Sequence, residues 1–168
     1  MQSPSDPKSQ QKSKPPIPET VGATSAPIKI GKSATTTPLE VHAPTGPALL
    51  RKDGSPKRVL LRVENVTSRM PAPSIDVYVN LPPGEEPEKY PGQYALTIST
   101  FGMVEASKTG GGHPGNGLSF VRDITDLYLR LTARQDWDGK TLQLSFIPEP
   151  SGNYPVQVTV GRVSLLIE

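Results

Sequence analysis

Apolar and polar positions alternate in short runs along most of this chain, and Gly, Pro and Asn break the runs at close intervals. The clearest run is Ile75-Asp76-Val77-Tyr78-Val79-Asn80. Its period of two puts Ile75, Val77 and Val79 on one face of a strand and Asp76, Tyr78 and Asn80 on the other. Leu81-Pro82-Pro83-Gly84 stops it. The β-branched stretch 58–66 predicts a strand before it, and residues 93–99 predict one after it, with Tyr94, Leu96 and Ile98 on a shared face. Residues 118–121 and 141–147 continue the pattern. Val156, Val158 and Val160 alternate with polar partners, Gly161 interrupts, and Val163, Leu165 and Ile167 resume. That break predicts a bulge or kink at Gly161 in one long terminal strand.

Two shorter alternations, 27–30 and 39–41, are separated by Gly31 and the Thr-rich 35–38. Their flanking prolines suit edge strands. One segment changes period: Asp123 is placed as a helix N-cap with Asp126 three residues on, and Leu127, Tyr128 and Leu131 follow at helical spacing to about Ala133. About six to eight strands, Gly/Pro turns and one short helix predict an all-β fold, a β-sandwich or jelly-roll.

Residues 1–26 are Ser, Gln, Lys and Pro with almost nothing to bury, and are expected to be a disordered tail or linker. The sandwich is then expected over 27–168, with its core in 57–168. The aromatic residues all fall between Tyr78 and Tyr154, which supports that division.

Composition narrows the chemistry. The 168 residues contain no Cys, two His and 20 Pro, with a formal charge of +2. The absence of Cys excludes disulfides, Cys-ligated zinc, iron–sulfur ligation and thiol catalysis. Mixed charges without a basic run give no nucleic-acid footprint. No apolar run approaches the ~20 residues of a membrane-spanning helix. The N-terminal stretch lacks the apolar centre of a secretory signal, so no membrane partner and a cytoplasmic product are expected. His42 and His113 lie far apart in sequence with no ligand-spaced cluster around them, and Met103 adds only a thioether. The run 110–117 (GGGHPGNG) lacks the Lys-Ser/Thr ending of a phosphate loop and leads into a strand, so it is expected to be a mobile connection. No Gly-x-Ser-x-Gly elbow and no facing pair of carboxylates can be identified. The residues describe a binding, structural or regulatory module with no catalytic site of its own.

Several segments resemble, in order, the C-terminal β-domain of tyrosinases and polyphenol oxidases. Ser74-Ile75-Asp76-Val77-Tyr78-Val79-Asn80 is similar to that domain's F-D-V-Y-x-N strand, and Gly92-Gln93-Tyr94-Ala95 to its G-x-F/Y segment. Residues 118–127 (LSFVRDITDL) are similar to its strand-into-helix passage. Residues 142–148 and 158–165, the latter containing Gly161, are similar to its closing strands. Val21-Gly22-Ala23-Thr24 looks like the linker that joins it to the copper domain. The resemblance makes Asp76, Tyr78, Asn80, Asp123, Asp126 and Gly161 structural motif positions.

The family oxidises phenols and diphenols to quinones on two copper ions held by six histidines. This chain has two His, so the resemblance implies no cofactor here and copper only in a di-copper catalytic domain, the expected partner in cis or in trans. The implied role is to pack over the copper-site entrance, keep the enzyme latent and assist folding. A side chain from the loop after the 93–99 strand is implied as the shield, and by position the candidates are Phe101, Met103 and His113. The alternative is a free-standing β-sandwich that binds carbohydrate or protein, with Tyr78, Tyr90, Tyr94 and Trp137 as an aromatic face.

Overall fold

The computed structural model describes residues 17–110, 114–134, 137–150 and 155–168. They form two antiparallel sheets that enclose a single apolar core. In the first sheet, β9 (Val158–Ile167) pairs on one side with β4 (Val59–Ser68), which in turn pairs with β7 (Leu118–Asp123). The other side of β9 is shared in succession by β1 (Glu19–Ala23) and β2 (Ile28–Ile30). The second sheet runs β3 (Thr35–Glu40), β8 (Thr141–Pro148), β5 (Ile75–Val79), β6 (Tyr94–Ile98). Two α-helices, the single turn α1 (Met103–Ala106) and α2 (Thr125–Thr132), and three short 3-10 turns, Pro47–Leu49, Pro87–Lys89 and Pro91–Gln93, complete the described elements.

The alternation translates directly into burial. Ile75, Val77 and Val79 of β5 are all fully buried, as are Leu142, Leu144 and Phe146 of β8 and Val59, Leu61 and Val63 of β4. Each such side chain contributes about 1.5–3 kcal/mol on leaving water, so these central strands hold the sandwich together. The expected all-β sandwich is the observed class, with nine strands among the described residues.

Strand structure begins within the stretch 1–26 that its polarity assigns to a tail. Residues 19–23 pair with the C-terminal half of β9, and Val21 is fully buried. Gly22 follows a register shift in β1 and lies so close to β3 that a Cβ there would meet the Glu40 carbonyl oxygen at 2.5 Å. The strand is also anchored by Glu19, whose carboxylate accepts from Thr45 N (2.9 Å), Thr45 Oγ1 (3.1 Å) and Gly46 N (3.1 Å). These bonds hold the Glu19 carboxyl below its ordinary pKa. The Thr-rich 35–38 is likewise strand and not separator. It pairs in continuous register with residues 143–146 of β8, and Pro38 is tolerated because β3 is an edge.

The break at Gly161 has a partner. Along β9 the inward positions change from Val158 and Val160 to Val163, Leu165 and Ile167, and along β4 they change from Val59, Leu61 and Val63 to Val66 and Ser68. Both strands switch faces at the same level, so their mutual register continues unbroken from Val59↔Ile167 to Ser68↔Val158. Asn65 makes the switch with a left-handed backbone (φ 54°), and Gly161 leaves room for it, since a Cβ there would come within 2.7 Å of Asn65 Cβ. The register shift appears between β4 and β7, so the bulge sits on β4 and not on the terminal strand.

The helix begins two residues after its expected cap. Asp123 closes β7, and its Oδ1 accepts from Thr125 N (3.0 Å) and Thr125 Oγ1 (2.6 Å). Thr125 Oγ1 in turn accepts from Val59 N (2.9 Å), which ties the start of α2 to the start of β4. Asp126 stays exposed in the first helical turn, while Leu127 and Leu131 pack into the core.

Candidate docking face

β6 and β7 are the open edges of their two sheets and lie on the same side of the sandwich. A register shift between Val77 and Tyr78 of β5 sets Tyr78 opposite Tyr94, with Ala95 left over. Tyr94 therefore turns away from the face of Leu96 and Ile98 that the alternation assigns it. It meets Tyr78 edge-to-face at 5.7 Å between ring centroids. Its hydroxyl bonds Thr97 Oγ1 (2.8 Å), and Thr97 Oγ1 donates to Asp76. Burial, with the Asp76 charge beside it, pushes the Tyr78 hydroxyl up from its ordinary pKa. Asn80 ends β5 with φ 54°; its Oδ1 accepts from Gln143 N (2.8 Å), so it closes the β5–β8 ladder.

The three shielding candidates part company. Phe101 is 92% exposed on the turn after β6. That turn is held from both sides: Thr100 Oγ1 donates to Ala72 O (2.5 Å), and Met103 N donates to Thr100 O (3.1 Å). Met103 is 1% exposed inside the core under α1, which removes it as a side chain that could reach another molecule. His113 lies outside the described residues. The proposed aromatic face is not a single platform. Tyr78 is buried against Tyr94, Trp137 is half-buried edge-to-face with Tyr128 (5.5 Å), and Tyr94 alone of the four is exposed. Among the described residues no three His, Asp or Glu side chains are placed to hold a metal.

Where β7 runs into α2 the surface opens into a cleft of about 570 Å³ lined by Arg51, Lys57, Arg58, Arg122 and Arg130, with Tyr94 on its wall. Its carboxylates are Asp123 and Asp126. Arg58 bridges Asp123 (2.9 Å) and Glu168 (2.9 Å). The Asp123 carboxyl is held down at about 2, chiefly by its bonds from Thr125 and then by Arg58. Because the folded pKa lies below the ordinary value of about 3.9, its contribution is present above pH ~4 and disappears as the pH falls toward 2. The side chain is nearly half exposed, so we expect only about 1 kcal/mol after solvent screening. The gap between the urea midpoints of the wild type and Asp123→Asn should be clearly smaller at pH 2.5 than at pH 7; an equal gap at both would show the charge to be irrelevant.

This cationic cleft is the feature sequence reasoning missed. Its residues come from the 47–58 connection, the end of β7 and α2, and only the β4–β7 pairing brings them together. Lys57-Arg58 and Arg122 are too short a signal to mark a basic patch in a chain of near-balanced charge.

Residues 17–168 match a family model described as Domain of unknown function (DUF7868). The chain belongs to this DUF7868 family. A curated relative of the DUF7868 chain is Tyrosinase HcTyr1 of Hahella sp. (strain CCB-MM4), 32% identical over 155 residues, which cover 89% of this chain and 32% of the relative. The chain thus spans about a third of that protein's length. Among solved structures, a recombinantly expressed latent aurone synthase (polyphenol oxidase) superposes with a TM-score of 0.51 at 14% identity, over 86% of this chain and 26% of that one. The same enzyme in a second structure gives 0.51 at 15% identity, again over 86% and 26%. The resemblance to the tyrosinase and polyphenol oxidase β-domain drawn from the strand motifs stands, and the fold agrees with it.

Proposed function

We propose that this DUF7868 domain is the non-catalytic β-domain of a tyrosinase-type oxidase. It packs in cis or in trans on a di-copper catalytic domain, covers the active-site entrance, and supports latency or folding. The observation that carries this reading is coverage: 89% of this chain is matched within 32% of a tyrosinase, which leaves the larger part of that relative for a separate domain. The polyphenol oxidase with the same fold is likewise matched over about a quarter of its length and is a latent form. Two histidines cannot supply the six of a type-3 copper pair, so no step of the oxidation is assigned to this chain.

In this reading the chain's contribution is steric, and Phe101 is the side chain suited to it. It projects from a turn whose two ends are hydrogen-bonded, so an apolar ring is presented with little conformational entropy left to lose on docking. The test is diphenol oxidation by the copper domain of the Hahella tyrosinase titrated with this chain. We expect a fall in rate or a rise in KM. Phe101→Ala should relieve it at least about tenfold while leaving the unfolding free energy within about 0.5 kcal/mol of the wild type, as for other exposed substitutions. Unchanged rate and KM with the wild-type chain would end the proposal. Equal inhibition by the variant would remove Phe101 from it.

A further inference from the structure

We propose that the cleft between β7 and α2 is a docking site for an acidic segment of a protein partner; the identity of that partner as the copper domain rests on the reading above, but the chemistry of the site does not. Most of the positive charge in the cleft meets no carboxylate among the described residues. Among the described residues, Arg58 is the one lining cation that bonds carboxylates. Lys57 Nζ donates to Ala48 O (2.6 Å), Arg51 to Lys57 O (3.3 Å) and Arg130 to Gly92 O (3.0 Å), all backbone carbonyls that leave the positive charge in place. Arg122 forms no ion pair among the described residues. Of the two lining carboxylates, Asp123 is already engaged by Thr125 and Arg58. The first turn of α2 opens into the same cleft and adds a partial positive charge. In a chain with a net charge of only +2, four cations without a carboxylate partner among the described residues, Arg51, Lys57, Arg122 and Arg130, thus line one cleft.

The second line of argument is apolar. Among the described residues the large hydrophobic side chains left exposed are Ile17, Tyr94, Phe101 and Val121. Ile17 begins the described chain; the other three sit on β6, β7 and the turn after β6. Tyr94 and Arg122 line both the cationic cleft and an adjoining groove between the two edge strands, whose wall includes Val121. Apolar anchors beside arginines make a surface that takes a protein, with arginine and aromatic residues at its centre. The carboxylates inside the cleft and the single aromatic ring beside it do not make the continuous cationic track with stacked rings that a nucleic-acid strand requires. Phe101 and the cleft lie off opposite ends of β6, a strand about 13 Å long at ~3.3 Å per residue, so one folded partner can engage both.

The test uses the full chain and a fluorescein-labelled peptide of five Glu-Asp repeats, followed by anisotropy. We expect binding that weakens at least about tenfold between low and physiological salt, as the Debye length shortens to about 8 Å. It should weaken by a similar factor in Arg122→Glu/Arg130→Glu, but not in Lys29→Glu/Lys89→Glu, two exposed charges elsewhere. Circular dichroism confirms that each variant is folded. Peptide binding that ignores the first pair of reversals, or no binding by the wild type, would overturn the site. Tighter binding of a single-stranded oligonucleotide of equal charge would overturn its assignment to a protein. The copper-domain titration separates the two proposals. Inhibition that survives the Arg122/Arg130 reversal, with no peptide binding, leaves the shielding reading and removes this one. Charge-dependent peptide binding without any inhibition does the reverse.

Discussion

Gly117→Ala should destabilise the domain by about 3–5 kcal/mol, a drop in melting temperature of roughly 6–20 °C for a domain of this size. Two effects add. Gly117 has φ 73°, where a Cβ costs about 1 kcal/mol. A Cβ there would also run into the carbonyl oxygen of Val66, the residue after the left-handed Asn65, and no side chain can rotate away to make room. The backbone must move, and it is the stretch of β4 where the strand changes faces. Gly117 N also donates to Ala106 O (3.0 Å), so a shift would disturb α1 as well. Gly54→Ala is the control: it has φ 82° with open space where the Cβ would go, and should show the backbone cost alone. Equal losses at the two sites would mean that the contact with Val66 contributes nothing. The glycines at 115 and 117 are thus required by close approach and backbone conformation, and their number is no measure of mobility.

The second large effect concerns the N-terminus. A chain shortened to begin at Pro27 should lose about 2–4 kcal/mol relative to one beginning at Ile17. It forfeits the burial of Val21, worth about 1.5–3 kcal/mol, and opens the space beneath it. It also loses the bonds from Thr24 N to Val163 O (2.9 Å) and from His42 N to Val21 O (2.9 Å), each worth about 1 kcal/mol net. The entropy no longer spent on ordering β1 offsets part of this. Urea unfolding of the two chains measures the difference. Coincident midpoints would show β1 to be dispensable, and with it the boundary drawn here.

What could be read from the sequence, and what could not, follows from where the information is stored. The strict alternation of Ile75–Val79 and the β-branched residues of β4 and β9 carry their faces locally, so these strands and the all-β class are evident without a structure. β1 has one large buried side chain, Val21, between Thr20 and Gly22, and its strand exists only because β9 offers an edge. Tyr94 follows the period of two until the leftover Ala95 turns it outward, a register event set by β5 and invisible along β6. Met103 and Phe101 stand two positions apart in one loop; α1 sends one into the core and the turn leaves the other in solvent. The cationic cleft needs three distant segments to meet, which no local pattern encodes.

The paired change of faces at Asn65 and Gly161 has a consequence for how such a domain can vary over time. Any residue larger than glycine at 161 meets the Asn65 side chain, whereas a glycine at 65 would accept the left-handed backbone and clear the space. Substitutions here are therefore ordered. A lineage can enlarge position 161 only after position 65 has shrunk, and the reverse path passes through a chain that folds poorly. The two positions are energetically coupled, so the cost of changing either depends on what occupies the other.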